Sequence, residues 1–275
     1  MRVHHLNCAT LCPRGGWLVH GDRGAWERAR LVCHVLLVES RDGLVLVDSG
    51  LAEADVLGQR GLLWESRLRL LGAALDPREP AVTQVAQLGF SPDEVRHVVL
   101  THLDFDHAGG IVDFPRAQVH VLAREREAAF ARRAWVERSR YQPVTWSHRP
   151  RWVLHEPVGA PWFGFEAVRE AGGLPRGILM IPLPGHTRGH AGVAVETDEG
   201  WLLHAGDAYF HREQLDPRDP RCPPLLDLFQ RLTAVDDGAR RANIERLREL
   251  ARERAGEVRV FSAHCQDEFE RLRGV

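Results

Sequence analysis

Thr101-His102-Leu103-Asp104-Phe105-Asp106-His107-Ala108-Gly109-Gly110 follows directly on the apolar run Val98-Val99-Leu100. A buried strand therefore ends where a loop carrying four metal-capable side chains, His102, Asp104, Asp106 and His107, begins. The two glycines let the backbone turn at once after them. Imidazole and carboxylate together suit zinc, iron or manganese rather than the all-oxygen sites of calcium or magnesium.

Four further turns share this strand-end setting. They are Val47-Asp48-Ser49-Gly50, Gly185-His186-Thr187-Arg188-Gly189-His190, Ala205-Gly206-Asp207 and Ser262-Ala263-His264. In content and order this set resembles the metallo-β-lactamase-fold hydrolases, whose signature loop reads His-x-His-x-Asp-His. The resemblance spans nearly the whole chain and is nearest to the lactonase-like branch. One position departs from it: Asp104 stands where most members carry their second histidine. The resemblance implies an α/β fold, a four-layer αββα sandwich of two mixed sheets with helices outside, formed by residues 1–275 as one domain.

Composition agrees with that expectation. The chain has 275 residues, 44% hydrophobic, with a formal charge of −2, enough for one large α/β unit and without a basic field for nucleic acid. All 36 basic residues are arginine, which a biased genome explains most simply. There is no apolar leader after Met1 and no run long enough to cross a membrane. The five cysteines, Cys8, Cys12, Cys33, Cys222 and Cys265, are odd in number and unevenly spaced. A reducing cytoplasmic setting is expected. Cys8 and Cys12, beside His4 and His5, form a pair that can bind a metal, although buried free cysteines are ordinary.

The rest of the chain follows an α/β rhythm. Residues 31–38 and 44–48 form a hairpin through Asp42-Gly43. Residues 81–88 read as a helix ended by Gly89, and Ser91-Pro92-Asp93-Glu94 as a capped turn before the strand that delivers His102. Residues 118–122 are a strand and 124–137 a charged helix. Residues 138–177, rich in tryptophan, phenylalanine, proline and glycine, break the rhythm and are expected to line the substrate pocket, or else to pack into the core or a homodimer interface. Residues 178–183 lead into the Gly-His loop, and 192–196 and 201–204 pair as a hairpin. Residues 239–254 form an amphipathic helix with Ile244, Leu247 and Leu250 on one face. Residues 258–261 are the last strand.

The resemblance assigns chemistry as follows. His102, Asp104 and His190 hold one divalent metal, Asp106, His107 and His264 hold a second, and Asp207 bridges them. His186 falls outside the ligand set, and Asp48 orients a ligand from beside the site. Two such metals lie about 3.5–4 Å apart and lower the pKa of a shared water to about 7. The expected catalytic residues are Asp106, Asp207 and Tyr209, the tyrosine standing one position short of the substrate-binding tyrosine of lactone-hydrolysing relatives. His34, His120 and His204 alternate inside strands and read as structural. The extra carboxylate at Asp104 tilts the metal preference from zinc toward iron or manganese, so Asp104→His is expected to raise activity with zinc.

The expected function is hydrolysis of a small ester or lactone-type substrate. A phosphoesterase on the same site and a diiron redox protein are the alternatives, with a binding protein carrying a vestigial site behind them.

Overall fold

The computed structural model describes the chain except residues 17, 18, 20, 22, 23, 25, 26, 159, 168–172 and 275. Two sheets carry the fold. The first has strand order β1 to β6: β1 (Arg2–Leu11), β2 (Leu31–Ser40), β3 (Gly43–Val47), β4 (Val95–Val99), β5 (Gln118–Leu122) and β6 (Arg151–His155). β1, β2 and β3 run antiparallel, and β3 through β6 run parallel. The second sheet is ordered β10-β9-β8-β7: β7 (Ile178–Pro182), β8 (Ala191–Thr197), β9 (Gly200–His204) and β10 (Val258–Phe261). Its β9 and β10 are parallel, the other pairs antiparallel.

The two-residue side-chain period of a strand decides how the layers stack. In β2, Leu36 and Val38 point between the sheets, where Val45, Val47 and Val99 meet Ile178, Met180, Val193 and Val195. Val35 and Leu37 point the other way, into a cluster with Val98, Val119 and Val121 that is covered by Ala81 and Val85. On the far side, Leu179, Ile181, Ala194 and Leu203 pack against Ile244, Leu247 and Leu250. The result is helix, sheet, sheet, helix. A strand such as β2, buried from Leu31 to Val38, needs apolar residues on both faces, which is why it reads as a continuous run.

The helices are α1 (Glu53–Val56), α2 (Leu62–Leu70), α3 (Ala81–Gln87), α4 (Phe105–Ala108), α5 (Ala123–Ala131), α6 (Trp135–Arg140), α7 (Pro224–Thr233), α8 (Asp237–Glu253) and α9 (Gln266–Arg273). The hairpins, α3, the Ser91 cap and α8 follow the sequence reading closely. The single helix expected over 124–137 does not form. Arg132 takes a left-handed conformation (φ 42°) and ends α5, and the chain starts again as α6, which brings Arg140 to the site.

For the 138–177 stretch the core, rather than the pocket wall, is the expectation that holds. The stretch contains β6, and its aromatics are core: Tyr141 and Trp146 pack under the first sheet, Trp162 and Phe165 against α8. Residues 159 and 168–172 of the stretch lie outside the described residues. Among the described ones, only Ser139 and Arg140 reach the cavity over the site.

Candidate metal centre and substrate cavity

The metal-capable loops all leave strand ends. Asp48 follows β3, His102 to His107 follow β4, His186 follows β7, Asp207 follows β9 and His264 follows β10. Backbone bonds lock these turns together: Ser49 N donates to His107 O (2.7 Å), Ala191 N to Thr101 O (2.9 Å) and Ala263 N to Gly206 O (3.0 Å). The packing explains the glycines. A Cβ on Gly109 would lie 2.8 Å from Gly50 O, and one on Gly189 would overlap the backbone of Glu125.

Two groups of donor atoms face each other across Asp207. On one side His102 Nε2 lies 3.5 Å from Asp104 Oδ2 and 3.8 Å from Asp207 Oδ2. His186 Nε2 lies 3.2 Å and 3.3 Å from the same two oxygens. On the other side His107 Nε2 and His264 Nε2 are 3.4 Å apart and lie 3.3 Å and 3.2 Å from Asp207 Oδ1. Asp106 Oδ2 completes this group at 3.9 Å and 3.7 Å from the two histidines. Four donors about 2.1 Å from a central ion stand roughly 3.4 Å apart at tetrahedral geometry. Both groups match that spacing, and the two oxygens of one carboxylate serve one group each.

Hydrogen bonding leaves these atoms open to an ion. His264 Nδ1 donates to Val32 O (2.7 Å) and His107 Nδ1 to Asp48 Oδ2 (2.8 Å), so each presents the lone pair of Nε2 to the centre. Asp48 is itself fixed by Thr101 N (2.7 Å) and Thr101 Oγ1 (2.8 Å). Of the donor atoms, His102 Nε2 and Asp207 Oδ1 are buried without a hydrogen-bond partner. Orphaned polar atoms of this kind are costly unless something binds them. Their convergence on two compact donor groups fits a pair of divalent cations.

The carboxylates gather positive charge: against the effect of burial, Asp207 raises His107 and His264 well above the ordinary imidazole value, and a divalent cation bound there would take the place of their Nε2 protons. Burial opposes ionisation of Asp207, but His264, His107 and His186 outweigh it and hold the carboxyl well below its ordinary range. For Asp104 burial is likewise overcome, first by Arg140 and then by His102. Burial lowers His186 to about 4, with Arg140 adding to the effect. That histidine is a neutral donor at physiological pH.

Two sequence assignments are corrected. His190 is not in either donor group: its Nδ1 donates to Leu183 O (3.0 Å) and its Nε2 accepts from Asp207 N (2.9 Å). With both ring nitrogens committed to backbone, it positions Asp207, and His186 occupies the place expected for it. Tyr209 is fully buried away from the cavity, packs in the cluster under α8 and donates to Glu268 Oε1 (2.9 Å). It touches nothing in the site. Cys8 and Cys12 do not form a site either: Cys8 is core, Cys12 is half-buried, and both are free. His34, His120 and His204 are structural as expected, bonded respectively to His5 (2.8 Å), to His97 and His155 (2.9 Å each), and to His34 O (2.6 Å).

Two residues that bear on the site carried no sequence signal. Glu125 accepts from Leu103 N (3.0 Å), Thr187 Oγ1 (2.7 Å), Gly189 N (3.0 Å) and Tyr141 OH (3.0 Å), stapling the two ligand loops together. Arg140 places Nη1 3.3 Å from Asp104 Oδ2. Glu125 sits in a segment whose charged pattern looks like a solvated helix face, and Arg140 at the start of the aromatic 138–177 stretch, where nothing in the sequence singles it out. Only the partners reveal them.

Above the donor groups opens a cavity of about 540 Å³. Asp104, Asp106, His186, Asp207 and His264 form its polar floor, and Leu11, Leu31, Leu70, Phe105, Phe210, Leu226 and Phe229 form apolar walls. These walls come from β1, the start of β2, α2 and α7 as well as from the stretches after β4 and β9, and Arg14, Arg67 and Arg140 also line the cavity.

Comparison with known proteins converges on one family. The profile of the metallo-beta-lactamase superfamily matches residues 28–258. A probable metallo-hydrolase of Mycobacterium tuberculosis is 41% identical over 275 residues, covering 99% of this chain and 83% of its own length. An N-acyl homoserine lactonase of Bacillus thuringiensis is 24% identical over 188 residues, covering 67% of this chain and 66% of its own. Among solved structures, an N-acyl homoserine lactone hydrolase with the product N-hexanoyl-L-homoserine at its catalytic metal centre aligns with a TM-score of 0.70. It shares 20% identity, over 98% of this chain and 95% of that one.

Proposed function

The chain belongs to the metallo-β-lactamase superfamily and to its metallo-hydrolases, and from this premise we propose that it hydrolyses a small ester or lactone carrying an apolar chain. The observation that carries the reading is the cavity: a polar floor of metal-capable side chains under walls of leucine and phenylalanine. Its shape suits a carbonyl seated on the floor with a hydrocarbon tail along Leu226 and Phe229. Burial of each tail methylene is worth about 0.8 kcal/mol.

In this reading two divalent cations are held, one by His102, Asp104 and His186, the other by Asp106, His107 and His264, with Asp207 between them. Such a pair supplies Lewis acidity and a lowered water pKa when bound. The chain's own contribution is orientation and proton handling. Asp48 and the carbonyl of Val32 fix the tautomers of His107 and His264, and His190 fixes the backbone of Asp207. Asp106 belongs both to its donor group and to the cavity floor, so its carboxylate is the group we assign to proton transfer toward the leaving oxygen. The whole chain acts as a single catalytic unit.

The test is elemental analysis of protein purified without chelator, followed by hydrolysis of lactone and ester series of rising chain length. The reading requires about two equivalents of a divalent metal per chain and a kcat/KM that grows with tail length. One equivalent or none would overturn the metal assignment. Preference for phosphodiesters would overturn the substrate assignment.

A further inference from the structure

We propose that Asp104 and Arg140 form one charge-neutral unit, in which the guanidinium lets a carboxylate stand where relatives of this fold carry a histidine without altering the net charge of the metal centre. The proposal rests on the two-metal reading of the site. Arg140 is buried, exposing only 7% of its surface. Its Nη1 lies 3.3 Å from Asp104 Oδ2 and also donates to His186 O at 3.2 Å, while Nη2 donates to Thr233 O. The guanidinium is thus fixed between the Gly185–His190 loop and the end of α7, at the rim of the donor group that contains Asp104. A buried cation is costly unless an anion answers it. A cation beside two divalent ions would also repel them. Asp104 removes both penalties, since the same oxygen that faces Arg140 also faces His186 Nε2 at 3.2 Å.

The consequence reverses the expectation drawn from sequence. By ligand type alone, Asp104→His should improve the zinc site. With Arg140 in place it should weaken it, because a neutral imidazole leaves the guanidinium facing the metals unanswered. Metal affinity should then follow the summed charge at positions 104 and 140, not the softness of the ligand at 104.

The experiment titrates Zn²⁺ and Co²⁺ against full-length variants by competition with a chromophoric chelator, counting equivalents and dissociation constants, with circular dichroism of each metal-free protein as a check of folding. Asp104→His should bind one of its two ions about 10–100-fold more weakly than the unaltered chain. Arg140→Gln, which keeps an amide donor for the carbonyls, should bind at least as tightly as the unaltered chain. The double variant Asp104→His/Arg140→Gln should return to within about threefold of it. Asp104→Glu, which keeps the charge, should retain both ions, and Asp104→Asn should weaken one; this pair decides the matter if Arg140→Gln does not fold. A purely structural role for Arg140 predicts loss in the double variant rather than rescue. Asp104→His binding zinc as well as the unaltered chain, or a double variant no better than Asp104→His alone, would overturn the proposal and leave the ester or lactone hydrolase reading intact. An unaltered chain with fewer than two equivalents would overturn both.

Discussion

The two donor groups that share Asp207 are built differently. Around His107 and His264 each imidazole is anchored through Nδ1, to Asp48 and to Val32 O, so orientation is set by hydrogen bonds from the first sheet. Around His102 and His186 one imidazole of the two is anchored, His102 Nδ1 donating to Thr101 Oγ1 (2.9 Å). His186 Nδ1 is buried without a partner, and the charge of Asp104 is answered by Arg140 instead. One side is held by hydrogen bonds at both imidazoles, the other by a hydrogen bond at one imidazole and by charge balance. A side held by hydrogen bonds should tolerate no change of orientation, whereas a side held by charge should tolerate changes of ligand that keep the sum of charges constant.

Removing what the sides share should have the largest effect. Asp207→Ala is expected to release both ions and lower kcat/KM by about 10³-fold or more; an ion retained at full affinity on either side would mean that Asp207 does not bridge. Next comes the contrast between neighbouring histidines. His186→Gln should lose one equivalent of metal in elemental analysis, while His190→Gln should keep both and act through a displaced Asp207, with a smaller loss of kcat. If His190→Gln were the variant that lost an ion, His190 and not His186 would belong with His102 and Asp104. Asp48→Ala tests the fully anchored side most directly: His107 loses its orienting acceptor, and affinity for one ion should fall about 10–100-fold, with a smaller loss at the other, whose His102 reaches Asp48 only through Thr101 Oγ1.

An effect on stability rather than on metal affinity lies behind the anchored side. Glu268 accepts from Ser262 N (2.9 Å), in the turn that delivers His264, and from Tyr209 OH. Burial pushes its carboxyl up to about 7 from an ordinary value near 4.5. A carboxyl whose pKa is raised on folding binds its proton more tightly in the folded state. Its contribution is therefore complete below about pH 4.5 and is lost as pH rises through 7, on the order of 3 kcal/mol in all. Across that window the Tm of the unaltered chain should fall relative to that of Glu268→Gln, a comparison that cancels the pH dependence of metal binding common to both. A Tm difference that does not change with pH would overturn the role assigned to Glu268.

The legibility of the molecule divides along the same lines. Strands were readable because their burial is periodic or continuous. The turns that end them were readable because Asp, His and Gly cluster there. The helix over 124–137 was not, since nothing in its charged pattern marks the left-handed residue at Arg132, and with that break went any view of Arg140. Aromatic richness in 138–177 pointed to a pocket wall, yet large rings fill cores as readily as cavities, and in this fold Tyr141, Trp146, Trp162 and Phe165 are core.

By itself the sequence determined the family, the alternation of strands and helices, and the set of residues from which a metal centre can be made. Those depend on local composition and on spacing along the chain. The tertiary structure decided which of two histidines in one short loop faces the centre, because that depends on which ring nitrogens find backbone partners from other strands. It also decided that Asp104 has an arginine at its back and that Tyr209 has its hydroxyl on Glu268. Partners brought together from 36 or 59 positions away leave no mark on either stretch alone.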